Sequence, residues 1–307
     1  MVARGTEDDG EDEDDRRIAM EMGVTAVMLP ELDFDEQIAL CRELGIRYYQ
    51  YRPRIIPPDQ RDKPWGNWGN HKFDLTPERL VREGAALTRR LRDAGLEPWG
   101  TVPACCVTDP DDAIRLHLEG AAVAEAKAVR CGPPAYPREP FDYPALLARV
   151  VARYAEVIER LAAPMGIKLI LETHCGTMIT SPGLAWNVVR HFSPERIGVI
   201  FDIANFGREG EIAPVLAVSV LRDYIDCVHI GGNRRVIVDV DPLGCTRRTG
   251  QMCRMEEGDL YLPWWLKAIH DAGISPPLII EDFTPNMTGA DRLRQSAPAL
   301  RKMLAAL

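Results

Sequence analysis

Four short apolar segments of this sequence each end on a side chain that can bind a metal ion. The segments run from Ile167 to Glu172, from Gly198 to Asp202, from Asp226 to His229 and from Pro277 to Glu281. Carboxylate and imidazole groups are ordinary ligands of divalent cations. A further histidine, His174, follows two residues after Glu172. These residue types could build a metal site if the fold brings the segment ends together.

Short apolar segments separated by helical sequence are typical of parallel strands that are buried on both faces. Eight such strand and helix pairs can be counted, and the first four predicted strands are Val24–Met28, Arg47–Arg52, Glu97–Val102 and Ala126–Arg130. The pattern predicts an α/β fold, a single-domain (β/α)8 TIM barrel. In such a barrel the C-terminal ends of all strands open onto one mouth, where catalytic residues collect.

The alternation of side chains along a strand predicts where the strand-end groups point. Successive side chains face opposite sides of the sheet. By this rule the interior of the barrel receives Glu172, Asp202, His229 and Glu281. His174 has the same parity as Glu172. Three buried carboxylates without compensation would repel one another, so we expect a divalent cation to bind among them.

Length and charge distribution indicate one barrel with an extension. The chain has 307 residues, and a TIM barrel needs about 250. The segment from Glu7 to Asp15 has eight acids among nine residues and no apolar periodicity, and such segments repel themselves and stay solvated. We therefore expect a flexible acidic tail over residues 1–17 and the barrel over residues 18–307.

The composition also excludes several classes of partner. A net charge of −9 argues against a nucleic-acid backbone as ligand. The sequence shows no apolar segment of membrane-spanning length and no signal-peptide pattern, so we expect neither a membrane association nor secretion. Eight scattered cysteines do not resemble a disulfide framework and indicate reduced thiols in a cytoplasm.

Two connections are longer than compact domains usually need. They run from Pro53 to Asp74 and from Gly231 to Asp259, and loops of this length are more often functional than not. The first contains Trp65 and Trp68, which could stack on a sugar ring or an aromatic aglycone. Capping of the barrel mouth is an equally good explanation of both tryptophans.

Five motifs carry a resemblance to a known family. They are Leu171-Glu-Thr-His-Cys-Gly-Thr177, Phe201-Asp-Ile-Ala-Asn-Phe206, Val228-His229, Gly258-Asp-Leu260 and Ile280-Glu-Asp-Phe283. In this order and spacing they resemble the sugar phosphate isomerase/epimerase family, the xylose isomerase-like TIM barrels. The similarity extends over about residues 20–305. In the family, the positions that match Glu172, Asp202, His229 and Glu281 hold a divalent metal.

The resemblance also implies which cation and which roles to expect. Oxygen ligands with one imidazole suit manganese first, with cobalt, magnesium or zinc as alternatives. His174 is the candidate acid/base, besides Glu172 and Glu281, although a histidine there could simply be a hydrogen-bonded neighbour of a ligand. Arg235 resembles the substrate-binding arginine of ketose epimerases, or is a solvated loop charge. Asn205 is a further candidate for substrate binding.

Two departures from the ketose 3-epimerase pattern affect the expected reaction. Met178 stands where those enzymes have a second glutamate, and Asn205 where they have a histidine. The family's lyase branches share the metal site and rely on a histidine instead. They include inosose and dehydroshikimate dehydratases and the subunits that cleave 3-oxo C-glycosides. They fit Glu172 and His174 at least as well.

The function that we predict is enolisation of a keto sugar or keto polyol, the chemistry common to these branches. A metal-dependent isomerase or epimerase, a β-eliminating lyase and a non-catalytic sugar-binding barrel are the alternatives. An endonuclease of this barrel type would need more than the six histidines present, and a nicotinamide dehydrogenase would need a glycine-rich turn that is absent. The expected partner is a small keto sugar or glycoside; a homo-oligomer or a complex with a small second subunit both stay open.

Overall fold

The computed structural model describes residues 20–210 and 212–307, so the predicted acidic tail lies outside the described residues. Eight parallel strands close into a barrel. They are β1 (Met22–Thr25), β2 (Tyr48–Tyr51), β3 (Glu97–Thr101), β4 (Ala128–Arg130), β5 (Lys168–Glu172), β6 (Ile197–Asp202), β7 (Ile225–Ile230) and β10 (Leu278–Ile280). Their order around the barrel is β1-β10-β7-β6-β5-β4-β3-β2. The predicted single-domain TIM barrel is confirmed.

Helices alternate with the strands and surround the barrel. Within the described ranges they are α1 (Phe34–Glu43), α2 (Pro77–Asp93), α3 (Asp111–Val123), α4 (Tyr143–Val157), α5 (Pro182–Val189), α6 (Ile203–Glu209), α7 (Pro214–Leu221), α8 (Leu262–Asp271) and α9 (Gly289–Leu304). None of them combines the length and apolarity that a membrane crossing requires.

Capping residues explain where the first two helices begin. Helix α1 begins after Asp33, which exchanges hydrogen bonds with Glu36 in a capping box. Helix α2 begins after Thr76, whose hydroxyl accepts the backbone N–H of Arg79 at 3.1 Å, with Pro77 in its first turn. These side chains satisfy backbone donors that have no partner inside the helix, so the helix starts could be recognised in the sequence.

Two apolar layers separate the inside of the barrel from its outside. The large layer lies between strands and helices. A smaller one fills the barrel and consists of Trp99, Val102, Ala128, Ile170, Ile200, Cys227 and Ile279. Ile170, Cys227 and Ile279 each lie two residues before a strand-end residue considered above. The predicted parity therefore holds for β5, β7 and β10.

Two predicted boundaries were wrong. The first strand ends at Thr25, because Ala26–Met28 forms a 3-10 turn. The connection from Gly231 to Asp259 is mostly regular: β8 (Gly232–Val240) and β9 (Thr246–Cys253) form an antiparallel hairpin. At its tip Asp241 accepts the backbone N–H groups of Leu243 and Cys245, the local bonding that makes aspartate a turn former.

Candidate metal centre

Four side chains from neighbouring strands meet at the C-terminal mouth of the barrel. They are Glu172 at the end of β5, Asp202 at the end of β6, His229 in β7 and Glu281 directly after β10. One possible ligand atom of each lies within 4.8 Å of those of the other three. Glu172, Asp202 and His229 are buried, and Glu281 is partly buried.

Strand register produces this convergence. In the β6–β7 ladder Asp202 stands opposite His229, and in the β10–β7 ladder Ile279 stands opposite His229. The chain then needs a close approach at Gly231, where a Cβ atom would lie only 2.3 Å from the carbonyl oxygen of Glu281. A glycine after β7 therefore lets the end of β10 pack next to His229.

The imidazole of His229 is held from both sides. Its Nδ1 atom lies 3.1 Å from Oε2 of Glu281 and 3.7 Å from Oε1 of Glu172. Its Nε2 atom lies 3.0 Å from Oε1 of Gln50, a buried residue of β2. An amide carbonyl oxygen only accepts hydrogen bonds, so Nε2 carries the proton. Nδ1 is then the atom that is directed toward the carboxylates.

Asp202 has two functions available at once. Its Oδ1 atom accepts the backbone N–H of Asn205 at 2.9 Å and so caps the short helix α6, while the Asn205 amide donates to its Oδ2 atom. Helix capping would by itself explain a lone aspartate at this position. The structure shows the capping bond together with the approach of Asp202 to Glu172, His229 and Glu281.

The electrostatics of the cluster reflect crowded carboxylates. Burial, reinforced by the charges of Glu172 and Glu281, raises the pKa of Asp202 well above its ordinary value. Burial opposes ionisation of Glu172 too, but the Arg130 guanidinium bonded to it and His229 outweigh burial, so the pKa of Glu172 lies below its ordinary value. Burial alone would lower the pKa of His229, yet the adjacent Glu281 and Glu172 raise it well above its ordinary value.

The donor set fits a divalent cation. Three carboxylates and one imidazole nitrogen supply hard and borderline ligands, which suit manganese, magnesium, cobalt or zinc. Their mutual approach within 4.8 Å matches the span of ligands around one ion. The hydrogen bond from His229 to Gln50 is the kind of outer contact that fixes the tautomer of a ligating histidine.

A cavity of about 450 Å³ opens above this cluster. Besides the four residues it is lined by His174, Asn205, Trp68 and Phe283, and by three arginines, Arg52, Arg130 and Arg208. Its size is that of a small-molecule site. Gln50, Arg52, Arg130 and Arg208 were not predicted from the sequence to belong to the site. Three of these have a usable signal, since Arg52 and Arg130 end predicted strands and Gln50 has the same parity as Arg52 in its strand.

The other sequence candidates are placed differently. Trp68 lines the cavity and packs on Phe283, with 5.0 Å between the ring centroids. Trp65 lies outside this cavity and borders a separate depression. Arg235 is exposed on the β8–β9 hairpin, where its backbone N–H donates to Asp259 at 2.6 Å. Of the proposed substrate-binding residues, the structure brings Asn205 and Trp68 to the cavity but not Trp65 or Arg235.

Residues 38–303 match the family model described as xylose isomerase-like TIM barrel. The chain belongs to this family. No curated protein matches the sequence of this xylose isomerase-like protein. The family match agrees with the resemblance seen in the sequence motifs.

Solved structures share the fold of this xylose isomerase-like barrel at low sequence identity. The IOLI protein with a bound zinc atom is 15% identical with a TM-score of 0.67, over 94% of this chain and 99% of that one. L-ribulose 3-epimerase is 13% identical with a TM-score of 0.66, over 94% and 95%. The probable 3-DHS dehydratase AsbF from Bacillus anthracis is 14% identical with a TM-score of 0.64, over 92% and 99%.

Proposed function

We propose that this protein is a metal-dependent enzyme that enolises a keto sugar or keto polyol. The observation that carries the proposal is the convergence of Glu172, Asp202, His229 and Glu281 within 4.8 Å at the mouth of a xylose isomerase-like barrel. These four residues would hold a divalent cation, manganese in the first place. The zinc atom bound to the IOLI protein supports a metal in this fold but does not identify the ion.

The proposed reaction begins with removal of a proton from the carbon next to the substrate carbonyl. A divalent cation held by the four residues would supply Lewis acidity, which makes that proton more acidic. The chain itself must bind the substrate, place the carbon beside a base and keep the base in its reactive tautomer. Asn205 and Trp68 line the cavity and are the proposed substrate-binding residues.

His174 is the base that the geometry favours. Its Nδ1 atom lies 2.6 Å from the carbonyl oxygen of Cys175, which can only accept, so Nδ1 carries the proton of a neutral ring. Nε2 then has the free lone pair that can take a proton from carbon. Among the described residues that line the cavity, His174 is the one carboxylate or imidazole outside the four-residue cluster.

A single candidate base limits which reactions can follow the removal of the proton. Return of the proton by His174 to the neighbouring carbon isomerises the sugar, whereas departure of a β-substituent gives a lyase. A two-carboxylate epimerase would need an acid at position 178, but Met178 is buried and lies outside the cavity. A β-eliminating lyase is therefore the second candidate, and the shared fold of the probable dehydratase is compatible with it.

A non-catalytic sugar-binding barrel would be favoured if the mouth were free of metal and blocked by Trp65 or Arg235. Trp65 and Arg235, the two side chains considered for that role, both lie outside the cavity. The cavity of about 450 Å³ has room for a monosaccharide. The geometry therefore favours a catalytic site.

The proposal is tested by metal analysis followed by a substrate screen in deuterated water. Purified protein should bind close to one equivalent of Mn²⁺ or another divalent cation, and a screen of keto sugars, inososes and 3-oxo-glycosides should reveal solvent deuterium in one of them. Deuterium in a retained skeleton identifies an isomerase, while loss of water or an aglycone identifies a lyase. Absence of metal binding at micromolar concentrations would contradict the proposed function.

Gln50 should act through the orientation of His229. Replacing Gln50 by leucine removes the acceptor 3.0 Å from His229 Nε2, and loss of such an outer contact costs about 10- to 100-fold in metal affinity. A calorimetric titration with Mn²⁺ measures the metal affinity of the variant. Gln37 is the matched control, because it is equally buried but bonds to Tyr49 and to the carbonyls of Leu29 and Leu32. Gln37→Leu should lower Tm and leave metal affinity unchanged.

Trp68 and Trp65 should differ in their effects on substrate binding. Trp68→Ala removes an aromatic face from the cavity. It should raise KM about tenfold, because a loss of roughly 1.4 kcal/mol of stacking free energy weakens binding by that factor. Trp65→Ala makes the same change outside the cavity and should leave KM unchanged. Steady-state kinetics and melting curves of both variants decide the matter. If Trp68→Ala lowers Tm strongly while KM stays the same, Trp68 is structural.

A further inference from the structure

Charged residues of both signs line the cavity. The four-residue cluster comes from β5, β6, β7 and the end of β10, which are consecutive strands of the barrel. Arg130 ends β4, which pairs with β5, and it is bonded to Glu172 of the cluster. Arg52 follows β2, with β3 between β2 and β4. Both arginines line the same cavity as the cluster, so a ligand in this cavity can contact the cluster and the two guanidinium groups together.

Arg52 lacks a carboxylate partner. Among residues 20–210 and 212–307 no acid lies within ion-pair distance of it, and its terminal nitrogen Nη1 donates to the backbone carbonyl of Val102 instead. Its Nε atom is buried without a hydrogen-bond partner. Burial, with the nearby charge of Arg130, lowers the pKa of Arg52 to about 10. A partly buried guanidinium with no carboxylate bonded to it has lost hydration that nothing replaces, so an anion in the cavity would stabilise it.

Arg130 leaves part of its bonding capacity unused. One terminal nitrogen donates to Glu172, but its Nε atom is buried and without a partner in the described part of the chain. Three arginines and three carboxylates line the cavity, so a bound divalent cation would leave two uncompensated positive charges there. The loaded site would thus attract an anionic ligand more strongly than a neutral one.

We propose that the substrate carries an oxyanion, a carboxylate or a phosphate, that binds Arg52 and Arg130 while its carbonyl end reaches the four-residue cluster. This inference rests on the proposed function and narrows its substrate class to anionic keto sugars. A guanidinium binds the two oxygens of such a group through parallel N–H bonds. The cavity of about 450 Å³ is large enough for a six-carbon chain with one terminal anionic group.

The test compares three ketoses with one skeleton: D-fructose, D-fructuronate with a carboxylate at C6, and D-fructose 6-phosphate. Calorimetry measures their affinities for the full-length protein with and without added Mn²⁺, so the anion preference is obtained whether or not metal is bound. At least one anion should bind about 10- to 100-fold more tightly than D-fructose, the effect of one or two charge-assisted hydrogen bonds. The difference between the two anions identifies carboxylate or phosphate.

Substitutions at the two ends of β2 test whether Arg52 causes the preference for the anion. Arg52→Gln should abolish the preference for the anion, and Arg52→Lys should keep part of it because the charge stays and the fork is lost. Arg47→Gln is the matched control, since it makes the same change in net charge at the other end of β2, where Arg47 is exposed and near Glu97. Arg47→Gln should keep the full preference. Melting curves show whether each variant is folded.

Two results would overturn the inference. If the wild-type protein binds neither anion more tightly than D-fructose, there is no anion site, even where a metal is bound and the proposed function stands. If the preference survives in folded Arg52→Gln, the anion binds elsewhere. Failure of the protein to bind any divalent cation is a separate result, because it contradicts the proposed function. The anion preference measured without Mn²⁺ would then still show whether an anion binds at Arg52.

Discussion

Replacing Glu281 by glutamine should remove bound metal and activity together. Glu281 lies 3.1 Å from Nδ1 of His229 and completes the four-residue cluster. Glutamine keeps the size of the side chain but loses the negative charge that a divalent cation needs. For the wild-type protein, a cation at 100 times its Kd contributes about 2.7 kcal/mol and should raise Tm by about 5 °C. The variant should lose both this rise and detectable turnover.

Elemental analysis, melting curves with and without Mn²⁺, and a deuterium-exchange assay measure this outcome. Glu97→Gln is the matched control, because Glu97 begins β3 at the opposite end of the barrel and is partly exposed. It should keep metal, the rise in Tm and turnover. A Glu281→Gln protein that retains stoichiometric metal would show that the cluster does not require this carboxylate.

Replacing His174 by asparagine should separate proton transfer from metal binding. Asparagine can still donate to the Cys175 carbonyl that Nδ1 of His174 bonds at 2.6 Å, so the local backbone should persist. It cannot accept a proton from carbon. We expect turnover to fall about 10²–10⁴-fold, the usual contribution of a positioned acid or base, with unchanged metal content and an unchanged effect of Mn²⁺ on Tm.

His270→Asn provides the comparison for this variant. His270 lies on α8, is partly exposed and is near Asp271, so its replacement should change neither turnover nor metal content. A His174→Asn enzyme with full metal content and near-normal turnover would show that His174 is not the base. The role would then pass to Glu281, the most exposed carboxylate of the cluster.

The barrel interior shows why the cluster residues could be predicted. Alternation along a strand is a local property, and a strand buried on both faces can be recognised by its apolar run. Once β5, β7 and β10 are placed in one barrel, the inward positions of Ile170, Cys227 and Ile279 require that Glu172, His229 and Glu281 face inward as well. Parallel strands then bring these ends to the same mouth.

The β8–β9 hairpin shows where sequence reasoning stopped. Val236 to Val240 contains β-branched residues and is followed by a turn at Asp241-Pro-Leu-Gly244, which is a usable hairpin signal. The hairpin was missed because arginines flank this segment on both sides, at positions 234, 235, 247 and 248, and because most of its residues are exposed. The short helix α6, which Asp202 caps, was also not predicted from the sequence.

The sequence by itself determined the barrel, the parity of its strands and the four residues that end them, because these depend on local apolar periodicity and on the one direction in which parallel strands run. It could not determine the side-chain contacts of Gln50, Arg52 and Arg130, because these depend on how the strands pack in the closed barrel. Closure of the barrel brings Gln50 of β2 to His229 of β7, whereas Arg130 reaches Glu172 from the paired neighbouring strand β4. The tertiary structure also decided that Trp68 faces the cavity while Trp65 and Arg235 do not, since the path of a long connection is set by packing rather than by its own residues.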